Sequence, residues 1–307
     1  MTALVPLAAL GLERISQHAA LRRKQLAAGV VVAAFVISFV ELAVHPAEQH
    51  FRTVPQPPEY AAVERTPRGI LAEYPLGYSD IYRLWQRRHG RPLLNGAPVD
   101  TPADAARRVL LDPTEPGTAE DLSLLGVSTI AIHPGAHVDA EVPPRVPVGS
   151  DAYKLVGRFA DGSSVWQVVA KAAPVFVTLP GGFASPKRTP EGFIGYALVS
   201  SAGVGVLELS ALSPGTVHLV FDAVDPNNKQ RTVRLSDGQR EITFTVSGRT
   251  RVSVLVAVPR GRTQLLLKTD PAPTSEDDTV VISAPRTARA VGQAQLRPAP
   301  LSTDPGF

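Results

Sequence analysis

The sequence has no cysteine among its 307 residues. Disulfide frameworks, Cys-ligated zinc, iron–sulfur clusters and thiol nucleophiles are thereby excluded. It also lacks surplus basic charge beyond its start. Residues 1–25 carry Arg14, Arg22, Arg23 and Lys24 against Glu13, and the rest of the chain balances 27 bases with 27 acids. A nucleic-acid partner requires a basic stripe that displaces counterions from phosphates, so none is expected. Catalytic signatures are missing too: there is no P-loop, no H-E-x-x-H, no G-x-S-x-G and no N-x-S/T sequon.

Smaller candidates fall short on their own chemistry. Gly203-Val204-Gly205 lacks the third glycine and the following helix of a dinucleotide site. Of seven histidines only His133 and His137 lie four apart, and Pro134-Gly135 between them breaks the shared helix face a metal pair would use. Both read as loop histidines. Asp222, Asp225, Asn227 and Asn228 could offer oxygens to a calcium, but Asp-Pro-Asn-Asn serves a backbone turn better. No cofactor, metal or catalytic residue is assigned, because no nucleophile with an orienting partner can be assembled from the spacing.

What the chain does contain is proline, 29 residues of it, and one long apolar run. Leu26–Val44 (LAAGVVVAAFVISFVELAV) would measure about 28 Å as a helix, close to the roughly 30 Å hydrocarbon core. Its one charged member, Glu41, lies a turn from the outer end. With Arg22-Arg23-Lys24 abutting it, the run reads as a transmembrane helix, a buried core helix being the alternative. The positive-inside rule puts the N-terminus in the cytoplasm and the bulk outside the cell membrane. No small-x-small cleavage pattern follows, so an anchor is expected rather than a removed leader. Within the cytoplasmic residues 1–25, Ala3–Leu12 is apolar but too short to span. It reads as an interfacial segment or as the end of another membrane helix.

Residues 45–68 are proline-rich and read as a stiff connector. Residues 69–173 alternate short strands and helices: a strand at Gly69–Tyr74, helices at Ser79–His89, Thr101–Leu111 and Thr118–Leu125, and a buried strand at Val127–His133. A hairpin follows across Ala160-Asp161-Gly162-Ser163. In the second segment Ile81, Leu84 and Trp85 are expected to form the inner face. From 174 to 290 the period becomes two, as in Val217, Leu219, Phe221 and in Val252, Val254, Val256, Val258, with turn residues between the runs. That predicts a sandwich of jelly-roll type. Residues 291–307 have no pattern and read as a disordered tail. The fold class expected is α+β: one transmembrane helix, a small α/β extracytoplasmic domain and a C-terminal jelly-roll-like β-sandwich.

The most unusual stretch is Tyr74–Gly96, where Tyr74, Tyr78, Tyr82 and Trp85 stand among Arg83, Arg87, Arg88, His89 and Arg91. Aromatic faces stack on sugar rings, and guanidinium forks pair with phosphates. A lipid-linked sugar phosphate would need both, which makes Tyr78, Tyr82, Trp85, His89, Arg91 and Asn95 candidate sugar or phosphate contacts. The competing reading buries the aromatics in the core and leaves the arginines on a solvated helix face.

The order of motifs also carries a resemblance. An apolar span ending in Glu41 is followed by Pro57-Pro58-Glu59-Tyr60, then by Gly69-Ile70-Leu71-Ala72-Glu73-Tyr74-Pro75. His89-Gly90-Arg91-Pro92-Leu93-Leu94-Asn95-Gly96 and Leu124–His133 come next, then Asp161–Trp166 and Val258–Arg262. Over most of residues 1–290 this resembles the C-terminal region of polytopic GT-C-type membrane glycosyltransferases, departing at Ala97, where an aromatic commonly follows Asn-Gly. The resemblance implies sugar transfer from a polyprenyl-phosphate donor on the outer membrane face. It places the catalytic carboxylate of such enzymes in an outer loop with no counterpart here, so this chain would be their non-catalytic outer portion. His89, Arg91 and Asn95 carry over only as motif positions. The alternative function is a single-pass, membrane-anchored protein that binds envelope glycan or is structural. Expected partners are the bilayer and a polyprenyl-phosphate sugar or cell-envelope glycan.

Overall fold

A short helix leads into two parallel strands joined by a long crossover. The computed structural model describes residues 57–77, 80–96, 101–134, 142–199, 203–273, 275 and 278–289. The expected span at Leu26–Val44, the segment 1–25 and the tail 291–307 lie outside these residues. Among the described residues no helix is long and apolar enough to cross a membrane. Residues Gln56–Phe307 form one compact unit.

The first part holds helices α1 (Pro58–Glu64), α2 (Asp80–His89), α3 (Pro102–Arg108) and α4 (Thr118–Leu124). Its strands are β1 (Ile70–Tyr74), β2 (Val127–Ile132), β3 (Tyr153–Arg158) and β4 (Ser164–Val168). They form one sheet in the order β1-β2-β4-β3, with β1 and β2 parallel and the other pairs antiparallel. The β3–β4 hairpin turns where its sequence expects: Gly162 takes φ +85°, and the Asp161 carboxylate accepts from the Ser163 amide. Helix α3 starts on Thr101, whose hydroxyl accepts from the Asp104 amide, with proline in the first turn.

Two sequence expectations are corrected here. The 45–68 connector contains α1, because Pro58 occupies the first helical turn, where its missing N–H is no loss, and Tyr60, Ala62 and Val63 bury one side. In α2 the inner face is Tyr82 and Trp85, with Gln86 and His89 half-buried, whereas Leu84 is 46% exposed. The helix is rotated so that Trp85 packs on Tyr60 and Tyr82 on His133, ring-on-ring contacts that leucine would not make.

The second part consists of antiparallel strands, each pairing through its alternating residues. They are β5 (Phe176–Gly181), β6 (Lys187–Arg188), β7 (Ile194–Ala197), β8 (Val204–Ala211), β9 (Gly215–Val224) and β10 (Arg231–Ser236). β11 (Glu241–Val246), β12 (Arg249–Val258), β13 (Gly261–Asp270), β14 (Val281–Ser283) and β15 (Arg286–Arg289) follow. One sheet runs β11-β10-β13-β8-β5; the other runs β12-β9-β14-β7-β6, with β15 also on β9. The sheets form a sandwich. Leu207, Leu209, Val233, Leu235, Leu265 and Leu267 of the first belong to one core with Val217, Leu219, Phe221 and Val252–Val258 of the second. Phe221 and Phe244, one from each sheet, meet edge-on at 6.3 Å. Gly203-Val204-Gly205 opens β8, where a side chain at Gly205 would collide with Phe183 and Leu198.

That same core continues into Leu110, Leu122, Ile130 and Trp166 of the first part. Polar ties reinforce the contact: the Tyr196 hydroxyl donates to the Arg108 carbonyl at 2.6 Å, and Arg188 bonds the buried Asp112 carboxylate. The α/β part and the sandwich therefore share apolar burial.

Candidate functional site

The parallel pair β1 and β2 ends in a cluster of ionisable side chains. Ligand sites in such sheets gather beyond the carboxyl ends of the strands, where backbone pairing stops and side chains take over. Glu73 is the fourth residue of β1 and fully buried; His133 follows directly on β2, its amide still bonded to the Tyr74 carbonyl. Glu59 comes from the first turn of α1, where the helix dipole favours a carboxylate.

His133 lies between the two acids. Its Nδ1 is 3.3 Å from Glu59 Oε1 and its Nε2 is 3.2 Å from Glu73 Oε2, so both ring nitrogens face acceptors and both carry protons. Burial pushes this imidazole's pKa down, but the hydrogen bonds and charges of Glu59 and Glu73 outweigh burial and lift it to about 9. The Tyr60 hydroxyl donates to the same Glu73 Oε2 at 2.7 Å. Burial, then the Glu73 charge, holds the Tyr60 and Tyr82 phenols well above their usual range, so both stay neutral.

His89 takes the opposite protonation. Its Nδ1 accepts from the Arg91 amide at 3.1 Å, which leaves the proton on Nε2. Burial is the main cause of its lowered pKa. The ring stacks on Tyr60 at 5.5 Å and 10°, Trp85 tilts against Tyr60 at 5.5 Å, and Tyr82 stacks on His133 at 5.5 Å. Four atoms in this contact group have no partner although buried: Glu59 Oε2, Glu73 Oε1, the Tyr82 hydroxyl and His89 Nε2. Two are acceptors, one donates and one does either. Buried polar atoms are nearly always paired, so four orphans in one group mark a place that a polar ligand or water would complete.

The candidate contacts read from sequence separate into two groups. Trp85 and His89 pack on Tyr60, and Tyr82 on His133, the two residues bonded to Glu73. Tyr78 lies outside the described residues. Arg91 and Asn95 are taken up by backbone. Arg91 is 7% exposed, and its Nη1 donates to Pro67 O and Thr129 Oγ1 while Nη2 donates to Val63 O and Thr66 O. Asn95 accepts from the Glu73 amide at 2.8 Å and donates to the Glu73 carbonyl. The Leu71 amide already pairs with Pro92 O at 2.9 Å, so Asn95 supplies the next rung along β1 with its side-chain amide. These two residues hold the site's floor: the Arg91 Nη1 and Nη2 and the Asn95 amide donate to the chain's own carbonyls and the Thr129 hydroxyl rather than outward.

Sequence reasoning missed Glu59, Tyr60, Glu73 and His133. One local signal existed: Glu73 is a charge inside an apolar strand, flanked by Leu71, Ala72 and Tyr74. The pairing with His133 is sixty positions away and left no local trace. Among the described residues no group of three or more His, Asp or Glu side chains is arranged to hold a metal ion. Asp225, weighed for calcium, instead binds Arg231 and the amides of its own turn.

The proton on His133 predicts a pH dependence. A pKa raised from 6.5 to about 9 corresponds to about 3 kcal/mol of folded-state stability. The gain is complete below pH 6.5, where folded and unfolded chains both hold the proton, and is lost as pH rises through 9. Urea unfolding of the wild type minus that of His133→Gln should lose this difference between pH 6.5 and 9.5. A flat difference would mean that His133 is not an imidazolium.

No family model matches the sequence, and no curated protein matches it. Solved carbohydrate-binding modules are similar over about two-fifths of the chain. A family 35 carbohydrate binding module from Clostridium thermocellum is 12% identical, with 38% of this chain and 92% of that one covered and a TM-score of 0.28. A CBM35 from Cellvibrio japonicus Abf62 is 14% identical, with 39% and 97% covered and a TM-score of 0.27. TmCBM61, solved with beta-1,4-galactotriose, is 15% identical, with 38% and 89% covered and a TM-score of 0.24. At these values the function has to be argued from the chain's own residues.

Proposed function

We propose that this chain binds carbohydrate, through hydroxyl groups that complete the Glu59–Glu73–His133 cluster, as the extracytoplasmic part of a membrane protein of glycosyltransferase-like type. The observation that carries the binding is the set of four unpartnered buried atoms. A hydroxyl donates to a carboxylate oxygen and accepts from an imidazole N–H at once, so neighbouring sugar hydroxyls match two acceptors, a donor and a phenol. The buried Tyr60, Tyr82 and Trp85 rings wall the cluster and hold its two histidines in place. Support for the membrane part comes from the motif positions: Gly69–Pro75 and His89–Gly96, the stretches that carry the resemblance, pack on each other through Asn95 and Glu73.

The test uses the full chain in detergent on a glycan array, followed by fluorescence titration with the sugars that score. Trp166→Phe in the background leaves Trp85 as the one reporter, since the chain has two tryptophans. Glu59→Gln and Glu73→Gln are each expected to weaken binding about tenfold or more, the loss of one charge-assisted hydrogen bond. Right-side-out membrane vesicles should bind the same glycan and inverted ones should not. No glycan bound, or binding indifferent to both glutamate variants, would overturn the carbohydrate reading. Binding confined to inverted vesicles would overturn the orientation alone.

A further inference from the structure

The sandwich brings three arginines to one small cavity far in sequence from the cluster above. Residues 220, 222 and 224 of β9 share one face, since side chains alternate along a strand. Register then sets Arg251 of β12 opposite Asp222 on one side, and Arg286 of β15 opposite Val220 on the other. Arg249, two residues along β12 from Arg251, completes the set. These residues line a cavity of about 180 Å³ closed by Glu115, Pro116 and Phe193.

The charges do not cancel in this cavity. Asp222 is engaged by Arg249 at 2.7 Å, and Arg249 also lies over the Phe193 ring at 5.3 Å. Glu115 is approached by Arg188 at 3.6 Å. Arg251 and Arg286 make no ion pair or side-chain hydrogen bond among the described residues. Arg286 is half-buried, and the turn before α4 packs so closely on it that a side chain at Gly117 would meet its Cβ at 2.9 Å. Burial and then the Arg251 charge lower the Arg286 pKa, outweighing the opposing charges of Asp222, Glu120 and Glu115, so the two cations lie within each other's field. A guanidinium held partly out of water beside another cation, with donors unpaired, is unfavourable until an anion joins it.

We infer that this cavity is a binding site for an oxyanion, the carboxylate or phosphate of a small anionic ligand, held by Arg251 and Arg286. Planar guanidinium forks bind both groups through paired N–H donors. The cavity's size admits one such group with little more. This site does not depend on the carbohydrate reading, and it shares no residue with the cluster at β1.

Isothermal titration of the full chain in detergent tests it, with inorganic phosphate, glucuronate and glucose as probes at fixed ionic strength. Phosphate or glucuronate should bind and glucose should not; which anion binds separates a phosphate site from a carboxylate site. Arg251→Gln, an exposed position, should weaken binding about tenfold, as should Arg286→Gln. Arg234→Gln on β10, whose guanidinium meets Glu241 and Asp270, should change it less than twofold. Circular dichroism of each variant separates lost binding from lost folding, and Arg251→Gln alone suffices if Arg286→Gln unfolds. Binding of neither anion, equal binding of glucose and glucuronate, or full affinity in a folded Arg251→Gln chain would overturn the site.

Discussion

Replacing Arg91 with methionine is expected to destabilise the folded chain by about 3–5 kcal/mol. The guanidinium donates to three backbone carbonyls, Val63, Thr66 and Pro67, and to the Thr129 hydroxyl. Each buried acceptor left unmatched costs about 1–3 kcal/mol. The low end of that sum applies, because Val63 O keeps the Thr66 amide and hydroxyl at 3.1 and 2.7 Å, Pro67 O keeps the Ser128 hydroxyl at 2.9 Å, and Thr129 Oγ1 keeps the Thr66 hydroxyl at 2.7 Å. Arg91→Lys should recover less than half of the loss, since one ammonium cannot span four acceptors arranged around a planar fork. Urea unfolding followed by tryptophan fluorescence measures both. A loss below 1 kcal/mol for methionine would show that water replaces the guanidinium freely and that the motif arginine does not hold α1 to the sheet.

The second large effect concerns the sandwich. Arg231 is 3% exposed and meets two acids, Asp225 through Nε at 2.5 Å and Asp278 through Nη2. Asp225 is fully buried, and its other oxygen accepts from the amides of Asn227 at 2.8 Å and Lys229 at 3.3 Å. This carboxylate therefore joins a buried cation to the turn between β9 and β10. Asp225→Ala removes the main counter-charge and frees both turn amides, for an expected loss of about 3–5 kcal/mol. Asp225→Asn keeps the turn acceptor and should cost about 1–2 kcal/mol less. The difference between the two variants apportions the effect, and equal losses would assign all of it to the ion pair.

Legibility from sequence followed the range of the interaction. The period-two runs at Val217–Phe221 and Val252–Val258 became β9 and β12, because alternation reports which side of a strand is buried. Helix α1 was hidden among Pro55, Pro57 and Pro58, and seven residues give too few turns for a period to stand out. The face of α2 was misplaced by choosing Leu84 over Tyr82. Hydrophobicity ranks leucine first, but the interior here is polar enough to hold phenol and imidazole tips. Arg91 and Asn95 were rightly singled out as unusual, yet residue type alone does not tell a ligand contact from a clasp on backbone.

By itself the sequence determined the chemistry that cannot occur and the local geometry that must. Lacking sulfhydryls, the chain has no thiol reactions; balanced charge beyond residue 25 leaves no basic stripe there for a phosphate backbone; alternating apolar residues dictate strands. Those properties belong to single residues or to near neighbours along the chain. Tertiary structure alone decided which charges meet: Glu59 and Glu73 on one imidazole, Arg251 and Arg286 at one cavity, Arg91 facing carbonyls. Ionisation and pairing depend on distance through space, and the packing of strands and helices sets that distance.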